Sequence, residues 1–530
     1  GSAPGESIIT ITGSTFEGNK AGNGGAVWNG TYGQVDITDS TFKGNTALAE
    51  DGLGQGGAIT NANAMTITGG SFANNTANYS GGAIYNGAHA APGNASLTID
   101  GTTFTGNSVT ATYSKDSTDP KKDNIAGGAI FNDTNAKLNV TNATFTDNTS
   151  SLKGGAIFNR DGVVTIENST FKGNSVPTSA GGAVLNESGN TGITGSITIT
   201  GSTFEGNTAG NGGAVWNGFD GTVNITGSTF KGNTAVAGIG QGGAITNADE
   251  MTITGSTFEG NQAGKLGGAI FNATNGELTF RGTNTFTGNT AAGNANDIYN
   301  AGTITVADGT TTLNSGLTQV GGEIFVNGGT LDMASGSSLS FDEDSKLTIG
   351  GGTFVADFGQ LLTDYATTNT ANGITGTNII GTSGNLNLRL DGGTYTAEQY
   401  NDAKKALLGQ DTEGAALNFL NANLALDEGQ DLVVGGSEQD GVVSITDTTP
   451  TVVAGNDEPA DGTAISSVPT EIVSVVSNDT DKTLLSADTI TIDNSEFTAK
   501  GLEIAGTATE DAEAVTLAVT DGSNITLTGG

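Results

Sequence analysis

The chain has no cysteine, one histidine and 7 prolines among its 530 residues. Without cysteine there is neither a disulfide framework nor a thiolate metal site. That absence also suits export of an unfolded chain through a narrow channel. The single histidine, His89, lies in Gly87-Ala-His-Ala-Ala-Pro-Gly93, so Ser-His-Asp and Cys-His schemes lack partners there. Positive charge is scarce: 18 Lys and Arg against 55 Asp and Glu give a net charge of −37. This balance excludes the basic patches that nucleic acid or an anionic membrane surface requires. No stretch is long and apolar enough to span a bilayer as a helix, so no direct membrane insertion is expected. With 86 glycines and so few prolines, the chain is neither collagen nor a proline-rich linker. No catalytic residue, cofactor or metal is expected.

What the chain does contain is a repeat. Phe-x-x-Asn occurs ten times, at Phe16, Phe42, Phe72, Phe104, Phe145, Phe171, Phe204, Phe230, Phe258 and Phe286. The paired asparagines are Asn19, Asn45, Asn75, Asn107, Asn148, Asn174, Asn207, Asn233, Asn261 and Asn289. Between them run nine copies of Gly-Gly-Ala-[Ile/Val]-x-Asn, from Gly24–Asn29 to Gly267–Asn272, and a decayed tenth ending at Asn300. Phe-to-Phe spacings of 26, 30, 32, 41, 26, 33, 26, 28 and 28 show a fixed minimum with loop insertions. A repeat of this length predicts a solenoid with one copy per coil, built from three short strands and three corners.

Each coil carries a strand signal. Val164 and Ile166 share parity, with Thr165 and Glu167 on the other face, and the pattern recurs at Val35/Ile37, Leu97/Ile99 and Ile197/Ile199. Stacked coils place equivalent strands side by side in parallel, about 4.8 Å apart. Phe should fill the interior as a column. Asn suits a left-handed corner and can bond to the amide of the next layer as a ladder. Gly-Gly lets the backbone pass a tight bend. Residues 11–72 and 199–258 are near-copies, down to Trp28 and Trp216, which points to a block duplication.

The expected class is all-β, a right-handed parallel β-helix with a small helical insertion near 396–426. Residues 1–310 form the regular helix and 311–395 a degenerate continuation with alternation at Glu323–Val326 and Lys346–Ile349. At 396–430 the capping-box pattern Thr396-Ala-Glu-Gln399, with Tyr400, Ala403 and Leu407, predicts one helix. Leu417, Leu420 and Leu424 predict a second helical stretch there. Strand patterns return in 431–530 at Val442–Ile445, Thr489–Ile492, Leu502–Ile504 and Val515–Val519, around a loop at 447–470 with Pro450, Pro459 and Pro469. The chain stops within a strand pattern and is expected to be part of a longer protein.

The alternation of Phe-x-x-Asn with Gly-Gly-Ala-[Ile/Val] resembles the polymorphic outer-membrane proteins, over residues 8–300. These are autotransporters whose exported passengers are right-handed parallel β-helices. The resemblance implies an extracellular adhesin on the bacterial cell surface, tethered through a C-terminal β-barrel expected to lie beyond the residues of this sequence. The implied partner is a host cell-surface protein or glycan, and a monomer is expected.

Two features point to partner recognition. The residues after Ala-[Ile/Val], namely Trp28, Tyr85, Phe131, Phe158, Trp216, Phe271 and Tyr299, have outward parity and form an exposed aromatic stripe unless a loop covers them. The longest insertion, Ser108–Ala126, carries Asp119, Lys121 and Lys122, and loops grafted on a rigid scaffold are natural binding sites. The alternatives are an inert spacer or a pectin-lyase-like enzyme. The enzyme would need clustered carboxylates, whereas Asp36, Asp100 and Glu167 are expected two layers apart, about 10 Å between neighbours.

Overall fold

A computed structural model describes residues 7–357 except 49, 51–52, 88–94, 112–123, 189–191, 237, 239, 335 and 343; beyond 357 it describes the backbone of the strands between 379 and 527. The chain divides into two compact units, Gly1–Thr305 with Ser315–Thr318, and Val306–Asn314 with Gln319–Gly530.

In the first unit the sequence repeat becomes a stack of coils. Val163–Glu167 leads into Thr170–Lys172, then Ser175–Ala180, then Val184–Glu187. Each segment pairs in parallel with its equivalents in the coils before and after. Val164 faces Leu138 and Ile197; Phe171 faces Phe145 and Phe204; Val184 faces Ile157 and Val215. A coil therefore has four strand segments, not three. They belong to three sheets, because the first two segments share one sheet that bends between them. Parity decides burial: Val164 and Ile166 are buried, while Thr165 is half-buried and Glu167 exposed.

The corners correct one expectation. None of the Phe-x-x-Asn asparagines has a positive φ; the left-handed residue is the one just before. Gly18, Gly44, Gly106 and Gly173 hold that place, and Asn74 and Asp147 hold it with φ of 53°. The side chain of the laddered Asn is thus free to point inward, and the strain falls on a small or Asx neighbour that tolerates it. A second left-handed residue precedes the Phe segment, at Gly13, Asp39, Asn142 or Asn168 for example. The third is the first glycine of Gly-Gly, such as Gly181 with φ of 68°. The second glycine has a different reason. A Cβ on Gly182 would lie 2.0 Å from the Gly213 carbonyl oxygen of the next coil.

The core is a column of rings and two columns of amides. From Phe16 to Phe286 successive phenyl rings are stacked at centroid distances of 4.5–4.9 Å and interplanar angles of 1–9°. Beside them, each asparagine Nδ2 donates to the next asparagine Oδ1, as in Asn148 to Asn174 at 2.9 Å and Asn174 to Asn207 at 3.0 Å. The same Nδ2 also donates to the phenylalanine carbonyl of the coil before, Asn174 to Phe145 O at 2.9 Å. The acceptor Oδ1 further takes the backbone N–H of the preceding asparagine. Buried donors and acceptors are thereby satisfied without water. The asparagines of Gly-Gly-Ala-[Ile/Val]-x-Asn form a second ladder, exemplified by Asn132 to Asn159 and Asn159 to Asn186, both at 2.8 Å.

In the second unit the pairing is again parallel. Thr330–Met333 lies between Thr310–Leu313 and part of Lys346–Asp357, and Leu331, Leu347, Ile349 and Phe354 are buried. Strands also form at Val442–Thr446, Thr489–Asp493, Leu502–Ala505 and Thr516–Thr520. Inside the segment read as a loop, Val453–Ala454 pairs with Val476–Ser477. The helical insertion near 396–426 is corrected where it is described. Ala416–Leu420 and Ala422–Ala425 are strands, and Leu417 and Phe419 align with Leu386 and Leu388 of the neighbouring strand. Leu417 and Phe419 share the two-residue period, which wins once a partner strand is present. Residues 397–415, with Tyr400, Ala403 and Leu407, lie outside the described residues.

Candidate binding surface

The outer face of the third sheet, which holds Val27–Asn29, Ile84–Asn86 and Ile157–Arg160, is built by the residue after Ala-[Ile/Val]. Parity turns these side chains away from the phenylalanine column, as expected. Most of the stripe is covered rather than exposed. Tyr85, Phe131 and Phe158 are 0–1% exposed, and Trp216, Phe271 and Tyr299 are half-buried. Trp28 alone of the seven stands out in solvent, at 72% exposure.

The cover is local. The residues immediately before Gly-Gly form a parallel ladder of their own, running Gln55, Ser80, Ala126, Lys153 and Ala180. Tyr85, Phe131, Phe158 and Leu185 pack with Ala126 and Ala180 into a small second core, against which Trp216 leans. The covering residue lies five places before the one it covers. Where threonine replaces the aromatic, its hydroxyl bonds to the backbone carbonyl of that residue: Thr60 Oγ1 donates to Gln55 O at 3.0 Å and Thr246 Oγ1 to Gln241 O at 2.8 Å.

Polar groups close the face. Arg160 places its guanidinium 4.9 Å from the Phe131 ring centre, and Lys153 Nζ lies 5.8 Å from that of Phe158. Both are cation–π contacts made in a partly desolvated setting. Arg160 Nε donates to Asp133 Oδ1 at 2.8 Å, and Arg160 Nη1 donates to Asn124 Oδ1 at 2.6 Å. Lys153 pairs with Glu187. The Tyr85 hydroxyl donates to Asp133 Oδ2. Burial pushes the Tyr85 phenol well above its ordinary range, the Asp133 carboxylate adds to that, and Arg160 partly offsets it. Asn124 sits at the return of the Ser108–Ala126 insertion, so Arg160 ties that loop's end to the sheet. Asp119, Lys121, Lys122 and His89 lie outside the described residues.

The first sheet presents a different outer surface of threonine with scattered charge. Asp100 and Glu167 stand in one column two coils apart, since both align with Thr141. Asp36 aligns with Thr66 and Thr98 and so belongs to the other column, contrary to a three-carboxylate row. Lys43 bonds to Glu17 at 2.8 Å, Lys172 to Glu205 at 3.1 Å and Lys231 to Glu259 at 2.9 Å across adjacent coils. These exposed pairs contribute little to stability. Among the described residues no group of three His, Asp or Glu side chains is placed to hold a metal, and no helix is long and apolar enough to cross a membrane.

Four segments of this chain match a family model described as the Chlamydia polymorphic membrane protein repeat: residues 13–30, 142–160, 201–218 and 255–273. Four of the regular coils therefore carry a polymorphic membrane protein repeat. The first, third and fourth matches each join a left-handed residue, a stacked phenylalanine and a Gly-Gly corner in one coil: Gly13 with Phe16 and Gly24, Gly201 with Phe204 and Gly212, Gly255 with Phe258 and Gly267. The second does the same with Asn142, Phe145 and Gly154. The matched segments therefore coincide with the corner and core residues of four coils. Neither the curated proteins nor the solved structures compared with the chain gave a match.

Proposed function

We propose that this chain is the exported passenger of an autotransporter-type surface protein, displayed outside the bacterial outer membrane. It acts as a stiff monomeric scaffold that offers the outer face of the third sheet, with its flanking loops, to a host-cell protein or glycan. What supports this reading is the concentration of chemistry on one face. The aromatic column and the half-buried ion pairs lie on the third sheet, and the longest insertions, between Val109 and Ala126 and between Asn86 and Ser96, enter or leave its strands in the sequence. The first sheet's outer face is mostly threonine, which strand propensity alone explains.

Burial of Tyr85, Phe131 and Phe158 removes them as contact residues and makes them support for the loops. Contact then falls to Trp28, to Tyr32 and Phe219, each 62% exposed, and to the insertion carrying Asp119, Lys121 and Lys122. Exposed rings suit stacking on a sugar face or packing into a protein partner. The test is binding of the purified chain to a glycan array and to host cells, alongside Trp28→Ala and a variant with 112–123 replaced by a short Gly-Ser linker. Reduced binding in either variant supports the face assignment. Undiminished binding in both removes it, and no binding by the parent chain favours the spacer reading.

A further inference from the structure

The asparagine ladder has a direction, and it ends on a carboxylate. In the Phe-x-x-Asn column one Nδ2–H of each asparagine points to the Oδ1 of the following coil and none points to the Oδ1 of the coil before, so the carboxamides share one orientation running toward Asn289. Asn289 has no eleventh asparagine to donate to, because the coil after it contains no Phe-x-x-Asn. Its Nδ2 donates instead to Asp297 Oδ1 at 2.7 Å, and also to Phe258 O at 3.1 Å, which fixes the amide's orientation. Asp297 is fully buried.

Register explains how it gets there. Ile298 pairs with Ile270, so Asp297 stands where Ala269 stands one coil earlier, a place held by alanine in all nine regular copies. Its second oxygen, Oδ2, accepts the Ser315 N–H at 2.6 Å. Both of these contacts bring donors to one side chain. A carboxylate meets them with two acceptor atoms, whereas a carboxamide has one acceptor and would set its own N–H₂ against an N–H. Alanine would leave both donors unpaired in a dry site.

We infer that Asp297 is the terminator of the ladder: an anionic end group that replaces the absent coil's carboxamide and holds the Ser315–Thr318 segment onto the last regular coil. The ladder's aligned dipoles stabilise the anion, as a helix N-terminus does.

Amide hydrogen exchange resolved by residue tests this. Asp297→Asn and Asp297→Ala should each speed exchange of the Ser315 N–H and the Asn289 side-chain amide at least 10-fold, with Asn148 unchanged. Asp220→Asn, in an exposed turn, should change neither site. Wild-type exchange at Ser315 and Asn289 in Asp297→Asn would overturn the proposal, because a carboxamide would then serve equally well. Should neither substituted chain fold, the carboxyl carbon shift of Asp297 in the unmodified chain decides. An ionised group at pH 7 supports the terminator, and a protonated one contradicts it.

Discussion

Asn174 presents both its backbone N–H and its Nδ2–H to a single atom, Asn207 Oδ1, each at 3.0 Å. The side-chain ladder and the backbone corner are therefore one structure, and neither can shift without the other. Asn174→Ala strips an acceptor from Asn148 and a donor from Phe145 O and Asn207 Oδ1. Each buried group left unpaired costs about 1–3 kcal/mol, so the variant should lose at least about 2 kcal/mol. Asn142→Ala, at an exposed corner, should lose less, and urea titration of both variants measures the difference.

Phe171 is fully buried between rings 4.7 and 4.8 Å away, while Lys172 next to it makes an exposed pair with Glu205. Phe171→Ala should cost roughly 3–5 kcal/mol, and Lys172→Ala less than about 1 kcal/mol. Comparable melting shifts for the two would remove the ring column from the account.

Glycines that look alike in the repeat should respond differently. At Gly182 an added methyl would sit 2.0 Å from Gly213 O, so Gly182→Ala should prevent proper stacking of the two coils. At Gly206 nothing lies within 4 Å and only the φ of +62° is unfavourable, so Gly206→Ala should cost about 1–2 kcal/mol. Gly206→Asn should be milder, because Asn74 already occupies the equivalent corner. Circular dichroism melts of the three variants give the order.

The hub around Asp133 predicts an alkaline response. Burial raises the Tyr85 pKa, with Asp133 contributing, so the folded chain holds the phenol proton more tightly than the unfolded chain does. That contribution is fully present below about pH 10, the unfolded value, and is lost as pH rises toward the higher folded value. Tyr85→Phe should flatten the alkaline decline of stability in the first unit, followed by chemical denaturation from pH 9 upward.

Asp342 predicts an acid response in the second unit. Burial alone would raise its pKa, but hydrogen bonds from the Ser345 hydroxyl and the backbone N–H groups of Gly321, Ser345 and Asp344 outweigh it and hold the carboxyl below its ordinary value. The stability it contributes is present above about pH 4 and is lost as pH falls through the lower folded value. Asp342→Asn should remove that acid dependence, read as amide exchange at Gly321 between pH 3 and 6.

The coil was legible in the sequence because its determinants repeat: the parity of Val164 and Ile166, the spacing of Phe171 and Asn174, and the double glycine at Gly181. The assignment of left-handed geometry to the asparagines was not, because Gly173 and Asn174 are both plausible corner residues until the ladder shows which side chain must point inward. Exposure of Tyr85 and Phe131 was also hidden, since parity gives direction but not cover. Only the pairing of Ser80 with Ala126, and of Ala126 with Lys153, shows that a neighbouring ladder lies over them. Leu417, Leu420 and Leu424 misled for a related reason: a short apolar run fits either period until its partner strand is known.

The absence of native cysteine allows a direct test of coil register. Thr146 and Lys172 are aligned on adjacent coils, and Thr146 and Glu205 are separated by one coil more. Strand spacing places the first pair of Cα atoms about 4.8 Å apart and the second about 10 Å, against a disulfide reach of about 4.4–6.8 Å. With cysteine at both positions of each pair, oxidation should cross-link Thr146→Cys/Lys172→Cys and leave Thr146→Cys/Glu205→Cys open. Cross-linking of the second pair in preference to the first would contradict the in-register stack on which the whole account stands.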